Sequence, residues 1–96
     1  MPMDESEKIY RYEMRFYGQV QGVGFRYTAY HAASSEGATG WVHNEWDGTV
    51  LMQIQGRLGQ ISRAVKKIED RIFTGIDRIE KTQIEVEKSE GSFVIR

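Results

Sequence analysis

Seven consecutive residues, Val20-Gln21-Gly22-Val23-Gly24-Phe25-Arg26, bring together the residue types that can hold a phosphoryl group. Glycines at 22 and 24 permit positive φ angles, and successive backbone N–H groups in such a turn converge into an anion-binding concavity. If a helix opens at Phe25, its free N–H groups and the positive end of its dipole add to the attraction. Arg26 then stands in the first helical turn, where its planar fork of donors can reach back over the concavity. The segment is not a Walker-type loop, since no Gly-Lys-Ser/Thr follows. Asn44 closes a second segment, Gly40-Trp41-Val42-His43-Asn44. Its neutral amide offers a donor and an acceptor, enough to orient a water without carrying negative charge toward a phosphate. Taken singly, each segment has a plainer reading: a glycine-rich connection with a solvated arginine, and an asparagine serving the turn after it. Only the pairing of Arg26 with Asn44 makes catalysis a competitive reading.

These residues need a scaffold, and the hydrophobic periodicity supplies one. Tyr10, Tyr12, Met14 and Phe16 alternate with Arg11, Glu13 and Arg15, which predicts a half-buried strand with the charged residues facing water. From Phe25 the spacing turns helical, with Phe25, Ala29, Ala32 and Ala33 on one side and Gly37 placed to close the helix. Gly40 to Asn44 reads as a second strand, followed by a loop from Glu45 to Gly48 that carries the turn signal Asp47-Gly48. Val50, Met52 and Ile54 mark a third strand; Leu58, Ile61, Val65, Ile68 and Ile72 mark an amphipathic helix, with Lys66, Lys67, Glu69 and Asp70 on its wet side. Ile79 to Glu87 alternates again, and Phe93 with Ile95 suggests a short closing strand. The order β-α-β-β-α-β, plus that last strand, leads to a ferredoxin-like α+β sandwich, an antiparallel sheet of four to five strands with two helices on one face. In that fold the end of strand two can lie near the loop that enters helix one.

Bulk properties narrow the partners. The chain has 96 residues, 40% hydrophobic and 28% charged, which fits one globular domain. Residues 1–8 are polar and read as a loose tail, leaving residues 9–96 as the domain. Thirteen basic residues nearly balance fourteen acidic ones, so the charge gives no support for a nucleic-acid partner. No apolar run approaches the roughly 18 residues a membrane helix needs, and the start of the chain lacks the apolar stretch of a signal peptide. There is no cysteine, which removes thiolate chemistry and Cys-based zinc sites and suits a reducing, cytoplasmic setting.

Beyond the two segments already described, Gly37, Asp47-Gly48-Thr49-Val50, Gln55-Gly56, Ile76-Asp77-Arg78 and Phe93-Val94-Ile95-Arg96 complete a pattern. With Gly18 to Arg26 and Gly40 to Asn44 it resembles the acylphosphatase family over nearly the whole chain after the tail. The resemblance implies a metal-free hydrolase, with no cofactor, that splits carboxyl–phosphate anhydrides into a carboxylate and inorganic phosphate. It implies a phosphate-binding loop of Gln21, Gly22, Val23, Gly24, Phe25 and Arg26, with Arg26 catalytic and Asn44 orienting the attacking water. The partners implied are a small acyl phosphate and inorganic phosphate, with no nucleic acid, no membrane, and a monomeric chain. One departure is Glu45, where many relatives have a small or neutral residue; it is expected to point from the loop into solvent.

Other residues take structural readings. His31 and His43 lack chelating spacing, Trp41 and Trp46 are expected to pack, Glu85, Glu87 and Glu90 to form a solvated edge and turn, and Lys66-Lys67 to serve solubility. The alternative to an enzyme is a noncatalytic anion- or partner-binding module of the same fold, since fold alone does not decide function. An RNA platform would want aromatics on the open sheet face, where Arg11, Glu13 and Arg15 are expected instead. Domains of this kind embedded in hydrogenase-maturation proteins sit beside zinc-binding segments that this sequence lacks.

Overall fold

The computed structural model describes residues 5–96, beginning with a single 3-10 turn at Glu5–Glu7. Residues 1–4 of the expected tail lie outside the described residues. The elements then run β1 (Ile9–Gly18), α1 (Phe25–Ser35), β2 (Thr39–Asn44), β3 (Val50–Arg57), α2 (Leu58–Ile72), β4 (Ile76–Ile84) and β5 (Phe93–Ile95). This is the ferredoxin-like α+β order with a fifth strand added.

The strands form one sheet in the order β4-β1-β3-β2-β5. β1 pairs antiparallel with β3, Met14 opposite Met52 and Phe16 opposite Val50, and antiparallel with β4 on its other side. β2 lies antiparallel to β3, with Asn44 opposite Val50. The expectation of an antiparallel sheet fails at the last strand: β5 runs parallel to β2, Gly40 opposite Phe93 and Val42 opposite Ile95, so the sheet is mixed. The strand order explains it. β5 joins the edge opposite β4, so the chain must cross the sheet rather than turn back beside it.

Period-two alternation aims Met14, Phe16, Val42, Val50, Met52 and Ile54 at the helices, and all are buried. From α2 they meet Ile61, Ala64, Ile68 and Ile72, and from α1 Phe25, Ala29, Ala32 and Ala33. Three alanines let α1 sit close to the sheet, and the Phe16 and Phe25 rings tilt together at 4.7 Å. That contact fixes the start of α1, and with it Arg26, against the sheet. The C-terminus of α1 closes as the sequence predicts. Gly37 takes φ 76°, its N–H donates to the Ser34 carbonyl, and the Ala38 N–H donates to the Ala33 carbonyl, a Schellman arrangement.

The open sheet face departs from expectation. β4 ends at Ile84, not Glu87, and residues 85–92 cross the sheet as a strap. Strand β5 lies four places from β4, about 19 Å at 4.8 Å per strand, a gap that eight extended residues span with length to spare. Ile84, Arg11, Gln55 and Thr39 stand in one row across the register, and the strap follows that row. Arg11, expected in water, is therefore buried at 4% exposure. Its guanidinium meets both carboxylate oxygens of Glu90 at 2.8 and 3.1 Å, and also Gln55 at 3.1 Å and Gln53 at 3.0 Å. Gln55 accepts from the Glu87 N–H and donates to the Glu87 carbonyl, so the Glu87 backbone and the Glu90 carboxylate fasten the strap; the Glu87 side chain is exposed in its turn as expected, whereas Glu90 is not part of a solvated edge. A Ser89 hydroxyl and N–H hold the Glu87 carboxyl below its ordinary pKa.

Lys67 also does more than face water. Its ammonium meets Glu36 at 2.7 Å and Ser35 Oγ at 2.9 Å, tying α2 to the end of α1 beside the Arg63–Glu36 pair. Among the described residues no helix is long and apolar enough to cross a membrane.

Candidate active site

Between β1 and α1 the chain turns through Gln19 to Gly24. Gly22 and Gly24 take φ 76° and 78°, and a Cβ built on either would meet nothing within 4 Å, so these glycines are required by backbone conformation rather than by crowding. Gly24 is the N-cap of α1 and offers no side-chain acceptor. The first helical bond runs from the Thr28 N–H to the Gly24 carbonyl at 2.9 Å, which leaves the N–H groups of Phe25, Arg26 and Tyr27 without an intrahelical acceptor. Open donors and the positive helix end thus face the same hollow.

That hollow, about 260 Å³, is lined by Val20, Gly22, Gly24, Phe25, Arg26, Tyr27, Asn44 and Ile95. Arg26 and Asn44, eighteen residues apart in the chain, are walls of one cavity. The Arg26 guanidinium donates through Nη1 to the main-chain oxygen of Arg96 at 3.3 Å. Among the described residues no aspartate or glutamate side chain pairs with Arg26.

Two members of the expected loop do other work. The Gln21 side-chain amide donates to the carbonyls of Glu45 at 2.6 Å and Thr49 at 2.9 Å, which clamps the loop to the hairpin that ends at Asn44. Val23 is half exposed and lines a separate hollow with Gln19, Arg71, Ile72, Thr74 and Gly75. Two walls escaped sequence reasoning as site residues, Tyr27 and Ile95, while Val20 opens the segment already singled out. Tyr27 carried a readable signal, an aromatic directly after the arginine; Ile95 carried none, because only the parallel pairing of β5 brings it here.

The hairpin that presents Asn44 is stiff. Asp47 accepts from the Thr49 N–H at 3.0 Å and its hydroxyl at 2.6 Å, which together hold its carboxyl below the ordinary value. The Glu45 N–H donates back to the Thr49 carbonyl. Glu45 does not point freely into solvent. Its carboxylate meets His43 Nδ1 at 2.9 Å and Arg15 at 3.4 Å, on the sheet face away from the cavity. The reason is the strand alternation that turns Asn44 one way and its neighbours the other. His43 thus has a carboxylate partner. Trp46, expected to pack at the hairpin tip, is 98% exposed and touches no ring among the described residues, while Trp41 lies under the Arg96 guanidinium at 4.6 Å. No group of three or more potential metal ligands gathers among the described residues.

The fold and this hollow together define a small ferredoxin-like domain in which a guanidinium, a neutral amide and the open end of a helix line one cavity. Comparison with known proteins narrows the class. The acylphosphatase family model matches residues 12–95. An acylphosphatase of Geobacillus thermodenitrificans is 40% identical over 79 residues, covering 81% of this chain and 84% of the relative. The crystal structure of acylphosphatase from Bacillus subtilis superposes with a TM-score of 0.83 at 28% identity, covering 91% of this chain and 98% of that one. An acylphosphatase from Coxiella burnetii superposes with a TM-score of 0.81 at 25% identity, over the whole of both chains. The chain belongs to the acylphosphatase family, and its sequence and fold make it a hydrolase of that kind.

Proposed function

We propose that this acylphosphatase works through residues 9–96 as one unit, with the turn from Gly22 to Arg26 holding the phosphoryl group of an acyl phosphate and Asn44 orienting the water that attacks it. The observation that carries the reading is the shared cavity: Arg26, Asn44 and the two left-handed glycines wall a single hollow. Gln21 and Val23 contribute backbone, not side chain, to this loop.

An acyl phosphate already has a good leaving group, so the demand on the protein is to position and to stabilise charge. Backbone N–H groups and the Arg26 guanidinium take the phosphoryl oxygens, and their donors are fixed before substrate arrives. Water held by Asn44 attacks phosphorus in line; the bond between phosphorus and the bridging oxygen breaks, and its electrons leave on that oxygen as the carboxylate. Glu45 is engaged with His43 and Arg15, so the proton of the water passes to a phosphoryl oxygen of the substrate itself. A neutral asparagine suits this scheme, because a carboxylate in its place would repel the dianion. The products are a carboxylate and inorganic phosphate, and the chain's even charge and lack of cysteine suit a cytoplasmic monomer acting on a small molecule.

The test is hydrolysis of a synthetic aryl acyl phosphate, followed by absorbance with chelator present. Arg26→Ala abolishes turnover and phosphate inhibition together, whereas Asn44→Ala lowers kcat by roughly 10²–10³-fold with little change in KM, the scale for losing one positioned polar group. Tight substrate binding by Arg26→Ala, or full activity in Asn44→Ala, overturns the assignment.

A further inference from the structure

Whatever the substrate, its acyl group must leave the cradle, and one residue marks a way out. Of the eight residues around the cradle, Tyr27 alone also lines the neighbouring groove, about 430 Å³, between α1 and α2. Its ring is 65% exposed and stands edge-on to His31 at 4.3 Å, with Tyr30 on the other side of that imidazole at 5.2 Å. Tyr27 thus offers an apolar wall already braced in place. The groove continues along Thr28, His31 and Ser35 to Lys67 and Arg71, and no carboxylate lines it. Its two cations differ. Lys67 is committed to Glu36 and Ser35. Arg71 is solvent-exposed and has no ion pair or hydrogen bond among the described residues. It also lines the hollow that holds Val23 of the phosphate loop, so it flanks the cradle from α2.

We propose that the Tyr27–Arg71 groove is the subsite for the acyl moiety, and that it selects acyl phosphates whose chain ends in a second anionic group. The acyl carbons lie along the Tyr27 ring, and the distal carboxylate or phosphate meets the free fork of Arg71. The argument is one of complementarity and tethering. A phosphoryl group seated at Arg26 holds the rest of the molecule at high local concentration beside this groove, so even an exposed ion pair can discriminate there. The inference rests on the acyl phosphatase reading for the identity of its ligand, and its test separates the two.

The rate measurement compares acetyl, succinyl and glutaryl phosphates. The wild type prefers at least one of the two longer substrates in kcat/KM. In Arg71→Gln the ratio of that substrate to acetyl phosphate falls about 3- to 10-fold, the range for an exposed to half-desolvated guanidinium–carboxylate pair. Arg71→Glu lowers it further and Arg71→Lys restores part of it. Tyr27→Ala raises KM for the longer substrates more than for acetyl phosphate. Binding is measured in parallel with acetylphosphonate and succinylphosphonate, which cannot be hydrolysed in the same way, by calorimetry. If the wild type binds succinylphosphonate more tightly and Arg71→Gln removes the difference, while no acyl phosphate is turned over, the subsite stands and the reaction assignment falls. If acyl phosphates are turned over but the Arg71 variants leave every selectivity ratio unchanged, the reaction stands and the subsite is refuted.

Discussion

Removing the Glu90 carboxylate by Glu90→Ala exposes how much the strap contributes. Arg11 is 4% exposed and Glu90 15% exposed, and they meet through two charge-assisted bonds at 2.8 and 3.1 Å. Deleting one partner of a buried pair leaves an uncompensated charge and costs about 3–5 kcal/mol. Glu90 lies at the rim, and Gln53 and Gln55 still accept from the guanidinium, so the lower bound applies, about 3 kcal/mol. For a domain of this size each kcal/mol moves Tm by roughly 4–8 °C, which puts the expected fall at about 12–24 °C. Thermal unfolding followed by circular dichroism reads it. The double variant Arg11→Met/Glu90→Met supplies the contrast. Replacing both ions with apolar groups of similar length leaves no stranded charge, so it recovers most of the loss. A single variant no less stable than the double, or a fall in Tm under about 4 °C, refutes the claim that Arg11 is trapped by the strap.

Two further outcomes follow from particular contacts. Gln21→Ala frees the carbonyls of Glu45 and Thr49 and loosens the Asn44 hairpin from the turn proposed to hold phosphate, so kcat is expected to fall more than KM rises; Gln21→Glu, which cannot donate to those carbonyls, does not rescue it. Lys67 first and Arg63 second hold the Glu36 carboxyl below its ordinary value of 4.5. A depressed folded-state pKa contributes stability that is complete above the unfolded value and disappears as pH falls through the folded one. Glu36→Gln is therefore less stable than wild type at neutral pH, and the gap in Tm closes as the pH is lowered below 4.5.

Much of this molecule is legible in its residues, and the boundary of legibility has a physical cause. Alternation at Tyr10 to Phe16 and helical spacing at Leu58 to Ile72 report which side of each element meets the core, because burial of those side chains drives the fold. Gly22, Gly24 and Gly37 announce positive φ, and all three adopt it. Arg11 shows the limit. Period two assigns it to the open face but says nothing of what later covers that face, and the covering segment has no pattern of its own. The parallel pairing of β5 escaped for the same reason, since three residues carry too little periodicity to reveal direction. In the candidate site, the types of Arg26, Asn44 and the glycines singled them out, and the fold sets them around one hollow. Gln21 lies in the same turn, but its amide serves the hairpin, and long-range clamps of this sort leave no local signature.

The short final strand has a practical consequence. Ile95 is a wall of the cradle and the Arg96 main-chain oxygen rests on the Arg26 guanidinium, so any peptide joined after position 96 emerges at the mouth of the cavity. If the hollow takes substrate as proposed, a purification handle fused there crowds its approach. The opposite end of β1 pairs with Arg57, and a handle on that side is expected to leave turnover unchanged.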